Sequence, residues 1–282
     1  MIKVPPKLGL HLQGGIGDCI KVVTCNFALR SLCQKYSTEI LISYGGNGHN
    51  DCGWGPLLKE EIFDLTPNFK YQETQALGLP TVGDFFKEHA KDLNLERLLP
   101  LDLGLAPPVF PKTRRNIGIQ LSSNDPRKNF KFERWGRLIL SALEKYKYTD
   151  IYLFDDPDKA GRALGLVNEL RKPLGKDILR LHNTVGNPLS KSIALISGLD
   201  LLISSDSFSK YICLCNKVPC ILLCADVGFM SPSDLLRTCF LKEITYNNNY
   251  TLLGVKYGED FKVQHMVSNI NQISVEEILS HI

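Results

Sequence analysis

The sequence predicts an α/β protein built from two strand–helix units, each a parallel sheet covered by helices. Three observations carry this. An apolar strand runs through a glycine-rich turn into a helix at the start of the chain. A second run of alternating strands and helices begins near residue 116. Between them lies a proline- and glycine-rich stretch, residues 104–111, with the composition of a linker. Repeated alternation of this kind places strands in parallel, because each helix returns the chain to the same edge.

In the first unit, residues 8–12 form the opening strand, and Gly14, Gly15 and Gly17 the turn before Asp18. Ile20, Val23, Phe27, Ala28 and Leu32 then recur at helical spacing. Residues 39–43 read as a second strand and 44–55 as a long Gly, Asn, His and Asp loop. Helical fragments and turns fill the stretch to residue 103. In the second unit, strands are predicted at 116–121, 150–154, 179–181, 199–204 and 219–224. Helices are predicted at 132–146, 158–171, 189–197 and from 209. The first of these is the clearest, with Trp135, Leu138, Ile139, Ala142 and Leu143 on one face. Ser274 and Glu277 form a capping box for a terminal helix. The domains are therefore 1–107 and 108–282, with the terminal helix a segment that could return to the first domain.

Composition narrows the class. The chain has 282 residues, 44% hydrophobic and 22% charged, enough for a substantial core and against wholesale disorder. Lys and Arg number 33 against 30 acidic residues, and a net +3 points to neither nucleic acid nor an anionic membrane. Prolines at 5 and 6 interrupt any apolar signal-peptide core. No window reaches the roughly eighteen apolar residues of a membrane helix. These features predict a cytoplasmic protein with no transmembrane segment and reduced thiols.

Three motifs can carry chemistry. In the first, glycines 15 and 17 free backbone amides at a helix start, which suits an anion. A dinucleotide site would need a third glycine where Ile20 stands, so a nicotinamide enzyme is disfavoured. In the second, the loop from Ser122 and Ser123 to Arg127 and Lys128 sets hydroxyls and cations ahead of a helix, as a phosphate requires. In the third, an apolar strand delivers Asp206 to its carboxyl end, followed by Ser207, Phe208, Ser209 and Lys210. Taken singly, each reads equally as a capped turn or a solvated basic loop.

Their order is more specific. The run Gln13-Gly-Gly-Ile-Gly-Asp18, with Ala28-Leu-Arg-Ser-Leu32 behind it, resembles the opening of glycosyltransferase family 9, the heptosyltransferase-like enzymes. Ile117-Gly-Ile-Gln-Leu-Ser-Ser123, followed by Lys128-Asn-Phe130 and Glu133-Arg-Trp135-Gly-Arg-Leu138, is similar to that family's central signature. Pro188 to Ile196, Ile203-Ser-Ser-Asp206-Ser207 and Lys217-Val-Pro219 resemble the segments around its Asp-Ser-Gly…His motif. The resemblance covers almost the whole chain. It implies a GT-B architecture, two Rossmann-like domains facing across a cleft, and an inverting glycosyltransferase that needs no metal or other cofactor. By that likeness Asp18 is the general base, with Gly14, Gly15 and Gly17 as its loop. Ser122, Ser123, Lys128, Ser207, Phe208, Ser209 and Lys210 hold the phosphates of a nucleotide-diphosphate sugar, and Asp206 holds its sugar. The chain departs from the family where Phe208 replaces a glycine, Lys210 a histidine, Phe130 a tryptophan and Lys131 a proline.

Weaker features leave the acceptor open among a carbohydrate, a protein and modified DNA. His49 and Asp51 are candidate acceptor contacts. Asp155, Asp156 and Asp158 follow a strand end, where a ribose or base could be read, or a turn capped. Lys112, Arg114, Arg115, Arg127, Lys128, Lys131, Arg134 and Arg137 could steer a DNA acceptor with a modified nucleobase, or form a solvated face. A non-catalytic sugar-nucleotide-binding protein on the same scaffold is the remaining reading. Cys213, Cys215, Cys220 and Cys224 have a superficial metal-like spacing but read as buried structural thiols.

Overall fold

The computed structural model describes residues 8–12, 32–36, 40–44, 69–72, 88, 108, 110–123, 126–156, 159–225, 249–258 and 263–282. The chain divides into two compact units, Met1–Gly104 with Met230–Tyr246, and Leu105–Phe229 with Asn247–Ile282. No helix among the described residues is long and apolar enough to cross a membrane.

The first unit contains three parallel strands in the order β1-β2-β3: β1 (Leu8–Leu12), β2 (Ile40–Tyr44) and β3 (Phe69–Gln72). Leu8 pairs with Ile40 and Ile40 with Phe69, so the register runs straight across. β3 falls where sequence reading placed helical fragments and turns. Its four residues are too few to establish a period of two against the surrounding pattern.

The second unit is a six-stranded, all-parallel sheet in the order β6-β5-β4-β7-β8-β9. Its strands are β4 (Arg115–Gln120), β5 (Thr149–Phe154), β6 (Leu181–Asn183), β7 (Leu201–Ser205), β8 (Cys220–Leu223) and β9 (Tyr250–Leu253). The predicted strand at 179–181 is displaced: residues 175–180 form a 3-10 turn and Leu179 is 80% exposed. β9 and a small antiparallel pair, β10 (Val255–Tyr257) and β11 (Val263–Met266), lie beyond the strands read from sequence.

Helix α1 (Phe132–Lys145) buries Trp135, Leu138, Ile139, Ala142 and Leu143, the predicted face. With α2 (Ala160–Leu174) and the terminal α5 (Val275–Ser280) it covers one side of the sheet, over Ile117, Ile119, Ile151, Leu153 and Ile203. Each of these side chains contributes about 1.5–3 kcal/mol by leaving water. Between α2 and α5 come α3 (Leu189–Ser197) and α4 (Ser209–Asn216), which pack on each other. Leu202, on the opposite side of β7 from Ile203, is also buried. Apolar residues on both faces are what a parallel sheet sandwiched by helices needs.

The terminal helix packs on α1 of its own unit. Ser274 accepts from the Glu277 amide at 2.9 Å as predicted. The full reciprocal capping box lies one turn earlier, between Asn269 and Gln272.

The carboxyl end of α1 is closed by Arg180, whose side chain is 9% exposed. Nη2 donates to the Leu143 carbonyl at 2.6 Å, and Nη1 to those of Tyr146 and Lys147 at 2.9 and 3.2 Å. A cation there also opposes the negative end of the helix dipole. Arg180→Ala should therefore cost about 2–4 kcal/mol, since several carbonyls lose their donor at once. A lowered urea midpoint checks this, with Arg180→Lys intermediate because one ammonium cannot span the same carbonyls.

Candidate active site

The strand order decides where a ligand belongs. From β4 the chain moves outward through β5 and β6, and from β7 it moves the other way through β8 and β9. The loops after β4 and β7 therefore part at the carboxyl ends of adjacent strands, the position at which open α/β sheets bind ligands. Of the predicted donor residues, Ser122, Ser123 and Lys128 follow β4, and Asp206, Ser207, Phe208, Ser209 and Lys210 follow β7. The structure brings the two groups together.

The join is electrostatic. Lys128 Nζ, in a 3-10 turn at Pro126–Lys128, lies 2.6 Å from Asp206 Oδ2. Lys210 Nζ, one helical turn beyond Asp206, pairs with its Oδ1. Burial pushes the Asp206 carboxyl up, but the Lys210 and Lys128 ammoniums and their hydrogen bonds outweigh it and hold it below the ordinary carboxylate range. Among the described residues two cations share this one carboxylate, an excess of one positive charge.

The hydroxyls of Ser204, Ser207 and Ser209 form a triangle. Ser207 and Ser209 lie 2.6 Å apart, and Ser204 is 3.0 Å from Ser209 and 3.1 Å from Ser207. The Ser204 hydroxyl donates to the Ser205 carbonyl at 2.6 Å and so accepts from the other two, and no side-chain hydrogen bond caps α4. The start of α4 carries the partial positive charge of a helix amino terminus, which suits an anion, although the Lys210 and Tyr211 amides already donate to the Ser207 and Phe208 carbonyls at 3.4 and 3.0 Å. Phe208 sits at its N-cap with φ −60° and ψ −31°, ordinary right-handed backbone. Its replacement of a glycine therefore needs no strain.

The β4 loop is held at several points. Trp135 Nε1 donates to the Leu121 carbonyl at 2.9 Å, and the Ser123 amide donates to Asn129 Oδ1 at 2.7 Å. Phe130 is buried edge-on against Trp135, with ring centroids 4.9 Å apart. The Lys131 amide donates to Asn271 Oδ1 at 2.7 Å, a bond that proline at this position could not make. Asn129 and Asn271 were not singled out from sequence, because nothing local marks a side chain that braces a distant loop.

Ser122 faces Asp155, donating from Oγ to Oδ1 at 2.5 Å. Burial pushes the Asp155 carboxyl up, against the pull of Ser122, the Asp156 amide and Lys159. Asp156 itself pairs with Lys159 at 2.5 Å. Among the described residues, three buried polar atoms at this edge have no hydrogen-bond partner: Gln120 Oε1, Asp155 Oδ2 and Ser205 Oγ. They stand at the carboxyl ends of β4, β5 and β7, where a polar ligand would meet them. Sequence reading missed Gln120 and Ser205, which looked like ordinary strand residues.

Asp18, Gly14, Gly15, Gly17, His49, Asp51 and Asp158 lie outside the described residues. The basic cluster is largely engaged within its own unit. Arg114 pairs with Asp150 at 2.6 Å, Arg115 donates to the Ile282 carbonyl, Arg134 to that of Asn271, and Arg137 meets Glu276 at 3.2 Å. Cys213, Cys220 and Cys224 are buried, unbridged thiols, and burial pushes that of Cys224 well up.

Asp206→Asn would leave the buried Lys210 without its counter-charge, costing about 3 kcal/mol near neutral pH. The stabilisation is complete above the unfolded carboxylate value of about 3.9 and is lost as pH falls through the lower folded value. The gap between wild-type and variant denaturation midpoints should accordingly be widest near pH 7 and close in acid.

No protein-family model matches the sequence, and no curated protein does. Solved structures match over nearly its whole length. The ADP-heptose LPS heptosyltransferase II of Escherichia coli is 13% identical, with a TM-score of 0.55 and coverage of 97% of this chain and 96% of that one. A family 9 glycosyltransferase of Veillonella parvula is also 13% identical, at TM-score 0.53 over 99% and 97%. A dodecameric, iron-containing heptosyltransferase in complex with ADP-D-β-D-heptose is 12% identical, at 0.51 over 97% and 74%. At this level of identity the likeness is one of fold, and the chain has the GT-B fold of the family 9 heptosyltransferases.

Proposed function

We propose that the protein is an inverting, metal-independent glycosyltransferase that moves a sugar from a nucleotide-diphosphate sugar to an acceptor hydroxyl. The observation that carries this reading is the meeting of Lys128, Asp206 and the start of α4 between the loops of β4 and β7. A net positive cluster at a helix amino terminus, beside orphaned polar atoms, matches a diphosphate and the sugar attached to it.

In this mechanism the Asp18 carboxylate takes the proton of the acceptor hydroxyl as its oxygen attacks the anomeric carbon. The bond from that carbon to the diphosphate oxygen breaks, and the electron pair leaves with the nucleotide. Lys128 and the first amides of α4 meet the charge developing on the departing phosphate. Asp206 accepts hydrogen bonds from the sugar hydroxyls and fixes the orientation of the ring. The acceptor is a carbohydrate, a protein or modified DNA. The engaged arginines of the basic cluster lend no particular weight to the last.

Nucleotide sugars of differing base should be screened by thermal shift. A cognate donor at about a hundred times its Kd raises stability by about 2.7 kcal/mol, and no shift with any donor contradicts the reading. With the donor known, Asp18→Asn should lower transfer at least about a thousandfold while leaving nucleotide affinity within about twofold. Full activity in that variant removes Asp18 as base. Lys128→Ala should weaken donor binding by about tenfold, roughly one charge-assisted contact, as read by titration calorimetry.

A further inference from the structure

The two lysines on Asp206 differ in kind. Lys128 reaches it from a 3-10 turn on the other loop, with its side chain 21% exposed. Lys210 reaches it from the first turn of α4, with its side chain 5% exposed. Lys210 is fixed at both ends. Its backbone carbonyl accepts the Tyr250 hydroxyl from β9, and its ammonium lies 4.8 Å from the centre of the Tyr211 ring. A phosphate arriving from solvent meets Lys128 first. A flexible, partly exposed ammonium can exchange one anion for another, whereas a buried one held between a carboxylate and an aromatic ring keeps its partner.

We infer that Lys210 is a positioning residue: it acts through Asp206 as the permanent counter-ion of that carboxylate and makes no contact with the donor phosphates. When the diphosphate draws Lys128 away, Asp206 would otherwise stand as an uncompensated charge in a buried place. The Lys210 ammonium keeps it ionised and keeps Oδ1 in position, leaving Oδ2 to accept a sugar hydroxyl. Ligand binding thus changes partners within a fixed charge balance. The cluster holds two cations and one anion before binding, and Lys210 with Asp206 remains neutral afterwards. This rests on the reading of the site as a nucleotide-sugar site and assigns within it a division of labour between the two lysines.

The test is titration calorimetry of the full chain with ADP, UDP and GDP, and with ADP-glucose, UDP-glucose and GDP-mannose. The double variant Asp206→Asn/Lys210→Met removes one charge of each sign and so preserves the net charge of the site. In it Lys128 has no carboxylate to give up, so affinity for the nucleoside diphosphate that wild type binds should hold or rise, while the preference for the sugar nucleotide is lost. A loss of tenfold or more would place Lys210 on the phosphate and overturn the inference. In Lys210→Met alone, the preference for the sugar nucleotide over the bare nucleotide should fall at least about fivefold, and Lys210→Arg should retain it. Equal loss in the Met and Arg variants would reduce Lys210 to a packing role. Wild type binding none of the nucleoside diphosphates would overturn the nucleotide-sugar reading itself, and the inference with it. Should Lys210→Met fail to fold, the charge-conserving double variant and Lys210→Arg still decide the question.

Discussion

One carboxylate, Asp206, holds the candidate site together. It joins a loop following β4 to the helix following β7, residues 78 positions apart in sequence, through Lys128 and Lys210. The geometry follows from strand order. Only because β4 and β7 are neighbours, with the chain leaving them in opposite directions, do these two loops share an edge. A buried ion pair is a weak source of net stability, since desolvation offsets most of the attraction. Its value here lies in register, because the pairing fixes which cation meets which oxygen.

The surrounding packing keeps that register. The loop bearing Lys128 is braced at Leu121 by Trp135, at Ser123 by Asn129, at Phe130 by the Trp135 ring and at Lys131 by Asn271. Trp135 belongs to the helix that supplies much of the apolar face over the sheet. The same side chain thus contributes to the core and to the position of the site. Asn271 belongs to the terminal segment, which Arg134, Arg137 and Arg115 also hold. Three members of the basic run, Arg115 of β4 and Arg134 and Arg137 of α1, thus reach the chain's end, the last through an exposed ion pair.

The second unit was legible in outline because its helices and strands have strong, regular periods. The face of α1 and the bounds of α3 follow directly from the spacing of apolar residues. The motif residues were legible because chemistry restricts their type. The rest depends on tertiary contacts. The 3-10 turn at 175–180 replaced a strand because Arg180 serves the end of α1, a demand invisible locally. β3 and β9 are four-residue strands whose neighbours in the sheet, not their own pattern, make them strands. Gln120, Ser205 and Asn271 gain meaning only once the sheet places them at its carboxyl edge or beside a loop. The resemblance makes Lys210 a phosphate contact; its burial against Asp206 emerges only in three dimensions.

The central claim is that a diphosphate enters between the β4 and β7 loops and takes Lys128 from Asp206. A crystal structure of the full chain with its nucleoside diphosphate tests this most directly. The account predicts phosphate oxygens within hydrogen-bond distance of Lys128 Nζ and the first amides of α4, with Asp206 still paired to Lys210. A nucleotide bound elsewhere, or a Lys128–Asp206 pair intact beside a bound diphosphate, would contradict it.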